Sequence, residues 1–510
     1  MDRAAPAPSA ISSSVLLAGL VLALSNFMVV LDTTIANVSV SHIAGGLGIS
    51  SSEGTWVITS YAVAEAICVP LTGWLARRFG EVRVFVAGMV GFGIFSFLCG
   101  IAPSLVALVA FRVGQGLCGG PLMPISQTLL MRIFPKEKHG MAMALWSMTT
   151  IVAPIFGPIL GGTISDNWGW NWIFFINVPI AIACSVAAVA LLRKAESKTE
   201  KVPVDTVGLS LLVLAVGALQ IMLDLGRERD WFGSSFIVGL GVLAFIGFAF
   251  LIVWEMSDRH PIVDLKIFRH RGFTVSVIAL AFTYGAFFAS LVIIPQWLQS
   301  SLGYTATWAG YTTAWNGVAA VFMAPIAAML SQKIDPRILV SGGILWLAVT
   351  SLTRVVWWTS GADFWTLAIP QLIQGAGMPF FFVPLTTLAL GAVEEDEVAS
   401  AAGLMNFLRT MSGAVATAVG VTMWENGGQS ARDSLTSTLN GTSSTMATLQ
   451  AHGFGIEQSR QYVSQLVDSQ ANAISTVNLF ELFAVIFVAA AAIIWLAPKP
   501  KHAVAMGAGH

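Results

Sequence analysis

Apolar runs broken by short polar segments recur fourteen times along the chain, near 15–38, 54–76, 83–101, 105–127, 140–165, 173–192, 207–224, 235–255, 273–297, 307–330, 338–358, 364–390, 400–424 and 474–496. A helix needs about 20 mostly apolar residues to cross a bilayer core, and these runs are of that length. Fourteen is even, so both termini lie on one side. Of the 26 Lys and Arg residues, 19 fall in segments on the side of the termini, Arg3, Arg77, Arg78, Arg83 and Lys501 among them. Only Arg227, Arg229, Arg432 and Arg460 fall on the other side. A basic bias of this size marks the cytoplasmic face. The pattern predicts an all-α integral membrane protein of 14 transmembrane helices with both termini cytoplasmic. The first run is too long for a removable leader and has no basic flank or small-residue cleavage site, so it reads as an uncleaved helix.

An internal repeat divides this array. Gln115-Gly116, followed by Pro121 and Pro124, returns 259 residues later as Gln374-Gly375, followed by Pro379 and Pro384. The same shift carries Leu145 to Leu404 and Gly161 to Gly420, and a shift of 255 carries Pro70 to Pro325. Spans one to six therefore repeat in the same orientation as spans nine to fourteen. The expected domains are an N-terminal six-helix half over 1–201, an inserted two-helix hairpin over 202–258, and a C-terminal six-helix half over 259–510. A long outer loop is expected over 425–473. Parallel halves of this kind place a substrate site between them near the membrane midplane.

Composition narrows the class. Hydrophobic residues make up 56% and charged residues 10%, against about 25% charged in soluble domains. The net charge of −1 argues against nucleic acid as a partner. Cys68, Cys99, Cys118 and Cys184 all lie in apolar runs, with no spacing for a disulfide framework or a metal. No phosphate-binding loop, metal cluster or nucleophile constellation points to an enzyme or to a cofactor.

The chemistry lies in charges inside the spans. A carboxylate near a bilayer centre costs at least ~2.5 kcal/mol on insertion scales, so it persists where it faces protein or water. Asp32 lies late in the first span. At helical spacing Ser25, Asp32, Ala36 and Ser39 form one stripe, and Asn26, Thr33 and Asn37 form the next. Phe27, Leu31, Ile35 and Val38 lie opposite, suited to lipid. Counting from the outer ends of their runs, Asp32 and Arg112 are both ~12 Å deep and Glu65 is ~16 Å deep. One Arg and two carboxylates at similar depth can neutralise each other and still exchange a proton; a static buried ion pair is the alternative. The expected proton-coupling residues are Asp32, Glu65 and Arg112. The expected substrate-binding residues are Glu65, Asn26, Tyr61, Gln115, Met123, Gln374 and Arg409. Pro154, Gly157, Pro158, Gly161 and Gly162 crowd two prolines and three glycines into one helix, which should bend there. Arg354, beside Trp357 and Trp358, is expected to reach the interface. Glu481 is expected to be peripheral, neutral and packed. Ile456–Asp468 is expected as a short amphipathic helix, or else as a flexible tether.

These motifs resemble the major facilitator superfamily, its fourteen-helix drug:proton antiporters and most closely the EmrB-like multidrug efflux pumps. Leu31-Asp-Thr-Thr-Ile-Ala-Asn-Val38 looks like the first-helix motif, whose Asp is implicated in proton coupling. Arg112 with Gln115-Gly116 looks like the fourth-helix motif, and Gly157-Pro158 with Gly161-Gly162 like the antiporter motif of the fifth. The loop Gly73-Trp-Leu-Ala-Arg-Arg-Phe-Gly-Glu-Val-Arg83 resembles the cytoplasmic latch after the second helix, through Gly73, Arg77, Arg78, Gly80 and Glu81. The family usually has Asp at the position of Arg77 and a base at that of Glu81, so the helix end that this latch engages is open.

The resemblance implies a proton-driven exporter of amphipathic toxic compounds in a bacterial inner membrane, with the proton as coupling ion. It also implies a periplasmic adaptor and an outer-membrane channel as partners, the outer loop being a docking element. The alternatives are an exporter of one metabolite, such as a fatty acid or siderophore, and a non-transporting sensor or scaffold. Asp32 is assigned the proton and Glu65 the selection of cations. The topology predicts that single cysteines at Ser197 and Ser443, in a background without the four native ones, react with an impermeant maleimide from opposite sides, Ser443 from outside. Reaction of both from the same side would exclude fourteen spans.

Overall fold

A computed structural model describes residues 12–259, 261–331, 333–438 and 442–499, and their regular elements are all helical. Fourteen long helices follow in order: α1 (Ser13–Leu47), α2 (Trp56–Phe79), α3 (Glu81–Gly100), α4 (Leu105–Ile133), α5 (His139–Asn167), α6 (Trp172–Ala195), α7 (Thr206–Leu225) and α8 (Ser235–Ser257). The remainder are α9 (Arg271–Ser301), α10 (Ala306–Leu330), α11 (Pro336–Trp357), α12 (Phe364–Leu390), α13 (Val398–Thr438) and α14 (Ile456–Ile493). Twelve are long and apolar enough to cross a membrane, and the two limbs of α5 together make a thirteenth. The polar α13 is long enough too, and it packs between α9, α14 and α4. The chain is a multi-pass membrane bundle. Of the basic residues counted above, Arg3 and Lys501 lie outside the described residues.

Local chemistry sets the ends and breaks of these helices. Ser104, Asp205, Thr305, Asp335 and Asp363 each accept a backbone N–H in the first turn that follows, satisfying donors the helix leaves free. Pro70 sits in a single 3-10 turn, Val69–Leu71, that interrupts α2, as expected of a residue without an N–H. In α5 the limb ending at Pro154 and the limb from Ile159 meet at 48°. The bend expected from the prolines and glycines is there; the side chain of Pro158 lies outside the described residues.

The glycines of α5 have a second use. A Cβ on Gly157 would collide with Thr34, and one on Gly161 would stand 3.1 Å from the Ile35 carbonyl oxygen. They let α5 run against the backbone of α1, whereas Gly162 has open space. The lipid-facing assignment on α1 needs correction. Leu31 and Ile35 are buried against Val57, Phe174 and Ile43, because α6 and α5 cover that side.

The outer segment 425–473 is mostly helical. α13 runs on to Thr438, a short helix spans Thr442–Ala451, and α14 starts at Ile456. Arg432 on α13 pairs with Asp468 on α14 at 3.1 Å, and the Trp424 indole donates to the Thr476 hydroxyl at 2.8 Å. Residues 456–468 are helical, as the first turns of α14 rather than a separate short helix, and Ile456, Tyr462 and Leu466 are exposed there. Hairpin helix α8, by contrast, buries only 22% of its most apolar stretch and exposes Phe245 and Val253, which places it at the periphery.

On the face carrying the termini, the first six and last six helices meet. A Cβ on Gly73 would strike Ser400, and one on Gly403 would lie 3.1 Å from the Val69 carbonyl oxygen. Asn406 donates to Gln127 at 2.7 Å, and Trp146 stacks on Phe382 with centroids 6.3 Å apart. The latch supports this closure. Glu81 pairs with Arg132 at 2.8 Å, Arg78 donates to the Val202 carbonyl, and the Glu196 carboxylate accepts from the N–H groups of Val82 and Arg83. Gly80 takes φ +93°, a left-handed turn that a side chain would strain. The loop therefore engages the end of α4 through Glu81 and the start of α13 through Gly73.

This closure predicts that cysteines at Gly73 and Ser400 cross-link under mild oxidation, halting transport until a reductant is added. Absence of a cross-link in folded, membrane-inserted protein would contradict the closed face described here.

Candidate functional site

Two polar constructions lie side by side, one sealed and one open. The sealed one is built from α1, α2, α4 and α6, with Ser96 of α3 at its edge. Arg112 Nη1 donates to Asp32 Oδ2 at 2.6 Å and to Gln115 Oε1 at 2.8 Å, and Arg112 Nε donates to the Val57 carbonyl at 3.0 Å. Asp32 Oδ1 accepts from Gln115 Nε2 at 3.0 Å and from Asn177 Nδ2 at 2.7 Å. Asn177 also donates to Ser96 Oγ at 3.1 Å, and that hydroxyl donates to the Phe174 carbonyl at 2.8 Å. The guanidinium lies 4.2 Å from the centre of the Tyr61 ring. Arg112, Gln115, Asn177 and Tyr61 are fully buried and Asp32 is 2% exposed. Charges this deep are held by pairing and hydrogen bonds, since water is not there to solvate them. Arg112 Nη2 alone among that side chain's nitrogens has no partner.

Asp32 is also deeper than the run length implied. α1 continues to Leu47, so Asp32 lies fifteen residues, or ~22 Å along the helix, from its far end. The polar stripe on α1 splits accordingly: Ser25, Asp32 and Ser39 face inward, while Thr33, Thr34 and Asn37 face a cavity.

That cavity has a volume of 510 Å³ and lies between the first and last six helices, with α7 on one side. Its walls run from Met123, Glu65 and Arg409 in the middle to Thr55, Gln296 and Val421 toward the face opposite the termini. Arg409 is 3% exposed; its guanidinium touches Met123 Sδ and lies 5.2 Å and 5.3 Å from the ring centres of Trp146 and Tyr284. Glu65, half-buried, is the carboxylate that faces Arg409 across this space. The cavity thus offers both charge signs among aromatic and aliphatic walls, the make-up of a site for amphipathic molecules.

The residues predicted from sequence are distributed between the two. Glu65, Met123 and Arg409 line the cavity, whereas Asp32, Arg112, Gln115 and Tyr61 make the sealed network. Asn26 does not line the cavity: its amide donates to Thr149 at 2.7 Å and Thr150 at 2.9 Å, tying α1 to α5. Gln374 does not either. It accepts from Arg354 and, at 3.3 Å, from Asn316. Arg354 is fully buried, between Gln371, Gln374 and the rings of Trp358 and Phe480; the expected reach to the interface is wrong because α12 and α14 enclose it. Glu481 lies on the exposed face of α14 and is not packed. Sequence reasoning missed Asn177 and Asp224, both polar groups at the edges of apolar runs, where they read as punctuation.

Comparison with known proteins places this geometry. The family model of the Major Facilitator Superfamily matches residues 22–417. The multidrug export protein EmrB of Escherichia coli is 44% identical over 492 residues, covering 96% of each chain. The fatty acid resistance protein FarB of Neisseria gonorrhoeae is 43% identical over 493 residues, covering 96% of this chain and 97% of its own. Among solved structures, the proton:xylose symporter XylE aligns with a TM-score of 0.59 at 14% identity, over 96% of this chain and 97% of its own, a likeness of fold alone.

Removing one partner of a buried pair leaves an uncompensated charge, a loss of about 3–5 kcal/mol. Arg112→Ala should lower stability by that order in detergent thermal unfolding, and Asp32→Ala added to it should restore part of the loss. An additive double variant would mean the two groups are not coupled.

Proposed function

Because the chain belongs to the major facilitator superfamily, among its EmrB-like multidrug efflux pumps, we propose that it exports amphipathic toxic compounds in exchange for protons. The observation that carries this reading is the 510 Å³ cavity, closed toward the termini and lined by Glu65 and Arg409, beside the sealed Asp32–Arg112 pair. The two parallel halves, 1–201 and 259–510, would rock about that cavity, with 202–258 riding beside them. Both termini face the cytoplasm of a bacterial inner membrane, as the distribution of Lys and Arg favours, and the closed latch then belongs to an outward-open state. The protein needs no cofactor beyond the proton.

Asp32 carries the proton, and Arg112, Gln115 and Asn177 are its alternative partners. A shift of α1 against α4 would part the carboxylate from Arg112 and free it to exchange a proton. Glu65 selects cations because its carboxylate lines the middle of the cavity, opposite Arg409. α5, bent and pressed on α1 through Gly157 and Gly161, couples the movement of the halves to Asp32. A second reading, export of fatty acids, has its own support: Arg409 gives a carboxylate ligand a counter-ion, and one relative is named for fatty acid resistance. The exposed Ile456, Tyr462 and Leu466 on the extension of α14 are the surface on which a periplasmic adaptor, leading to an outer-membrane channel, would dock.

Proton release on adding tetraphenylphosphonium to the purified protein in weak buffer tests the assignment. Asp32→Asn should abolish release while retaining binding. Glu65→Gln should weaken export of lipophilic cations far more than export of laurate. Unchanged release from Asp32→Asn would move the proton to Glu65, and equal loss for cation and laurate would give Glu65 a coupling or folding role.

A further inference from the structure

The inserted hairpin contributes a wall to the central cavity, and that wall is chemically distinctive. From α7 and the turn after it, Gln220, Leu223, Asp224, Arg227, Glu228 and Trp231 line the space. Three of these carry polar atoms that are buried and unpaired: Gln220 Oε1, Asp224 Oδ2 and Trp231 Nε1. Gln220 is 5% exposed, and its amide donates to Asp224 Oδ1 at 3.1 Å, which aims the carboxylate. The Thr59 hydroxyl of α2 stands beside that carboxylate. Buried polar atoms are nearly always paired, so three orphans on one cavity wall point to a ligand that completes them.

The turn is held in an unusual shape. Asp230 and Trp231 have φ of 57° and 41°, a left-handed conformation costing of order 1–3 kcal/mol for residues other than glycine. The Trp231 N–H donates to the Gly226 carbonyl at 2.8 Å, and a Cβ on Gly226 would collide with the indole. These contacts hold Trp231 against the end of α7. The two basic residues of the turn are otherwise engaged: Arg227 pairs with Glu425 on α13 at 3.6 Å, and the Arg229 guanidinium lies 5.1 Å from the centre of the Phe236 ring.

We propose that α7 and its turn form an outer subsite for a lipophilic organic cation. Asp224 supplies the counter-charge, Trp231 an aromatic surface, and Gln220 holds the carboxylate in place. A carboxylate beside an indole is the chemistry that recognises a large, weakly hydrated cation, through charge and through the face of the ring. This inference rests on the export reading above and adds a residue set in a part of the chain outside both six-helix halves. Glu65, in the middle of the cavity, and Asp224, at its mouth, then hold the same class of ligand at successive depths.

The test is equilibrium binding of tetraphenylphosphonium and of laurate to the purified full-length protein, with export of both measured in cells. Asp224→Asn and Trp231→Ala should each raise the Kd for tetraphenylphosphonium about tenfold, equivalent to the ~1.4 kcal/mol of a decade in affinity. Laurate binding should stay within twofold in both. Asp224→Glu and Trp231→Phe should recover most of the cation affinity. Unchanged cation affinity in Asp224→Asn would overturn the subsite, as would equal weakening for cation and laurate. Laurate binding at the wild-type level reports that each variant is folded. If the wild-type protein exports neither probe and binds neither, the export reading fails, and the subsite with it.

Discussion

The ion pair between Arg112 and Asp32 is the interaction on which the N-terminal helices depend. Two full charges this deeply buried are stable only with good pairing geometry and further hydrogen bonds from the protein. Val57, Gln115 and Asn177 supply most of them, and they come from α2, α4 and α6. The pair therefore ties α1 to α4 and α6 through the carboxylate and to α2 through the guanidinium. The pair is also the place where the proposed proton exchange would act. Protonation of Asp32 would remove the charge–charge attraction and leave a guanidinium to find new partners, with Tyr61 and Phe174 already over its faces. A change of one proton is then felt by four helices at once.

That network does not touch the cavity, and the separation has a mechanical consequence. Asp32 and Thr33 are neighbours in sequence, yet one faces the sealed side and the other the open side. α1 is the shared wall, and α5 leans on it where Gly157 and Gly161 remove the side chains. α5 also packs against α10, with Gly140 beside Ser331 near the face carrying the termini, so it bridges the last six helices to α1. Packing this close transmits displacement rather than absorbing it.

Most of the architecture was legible in the sequence because a bilayer demands long apolar helices and a charge bias, and both are visible without structure. The bend in α5 was legible for the same reason: Pro154 and the glycines after it carry their conformational consequences locally. The lining of the cavity was not. Helical periodicity on α1 groups Asp32 with Ser25 and Ser39, but it is silent on whether the neighbouring stripe faces lipid, protein or water. Leu31 and Ile35 look like lipid contacts until α6 and α5 are laid over them. Asn26 and Gln374 are polar residues inside spans and so looked like ligand contacts, yet each is consumed by tying two helices together. Asp224 lay at the end of a run, where a charge needs no special explanation, and only the packing of α7 on α2 turns it toward the cavity.

The two six-helix repeats build the same arginine–glutamine plan with different partners. Gln115 and its repeat partner Gln374 are both buried and both accept from an arginine, Arg112 on the same helix and Arg354 on the neighbouring one. In the N-terminal helices the arginine is balanced by Asp32. In the C-terminal helices it meets only amide oxygens and the rings of Trp358 and Phe480, and Nε and Nη1 have no partner. Amide dipoles and aromatic faces lower the penalty of a buried cation without offering a place for a proton. The C-terminal network thus ties α11 to α12 without a carboxylate beside its guanidinium. The asymmetry follows from one residue type: where the first repeat has a carboxylate against its guanidinium, the second has carbonyl oxygens.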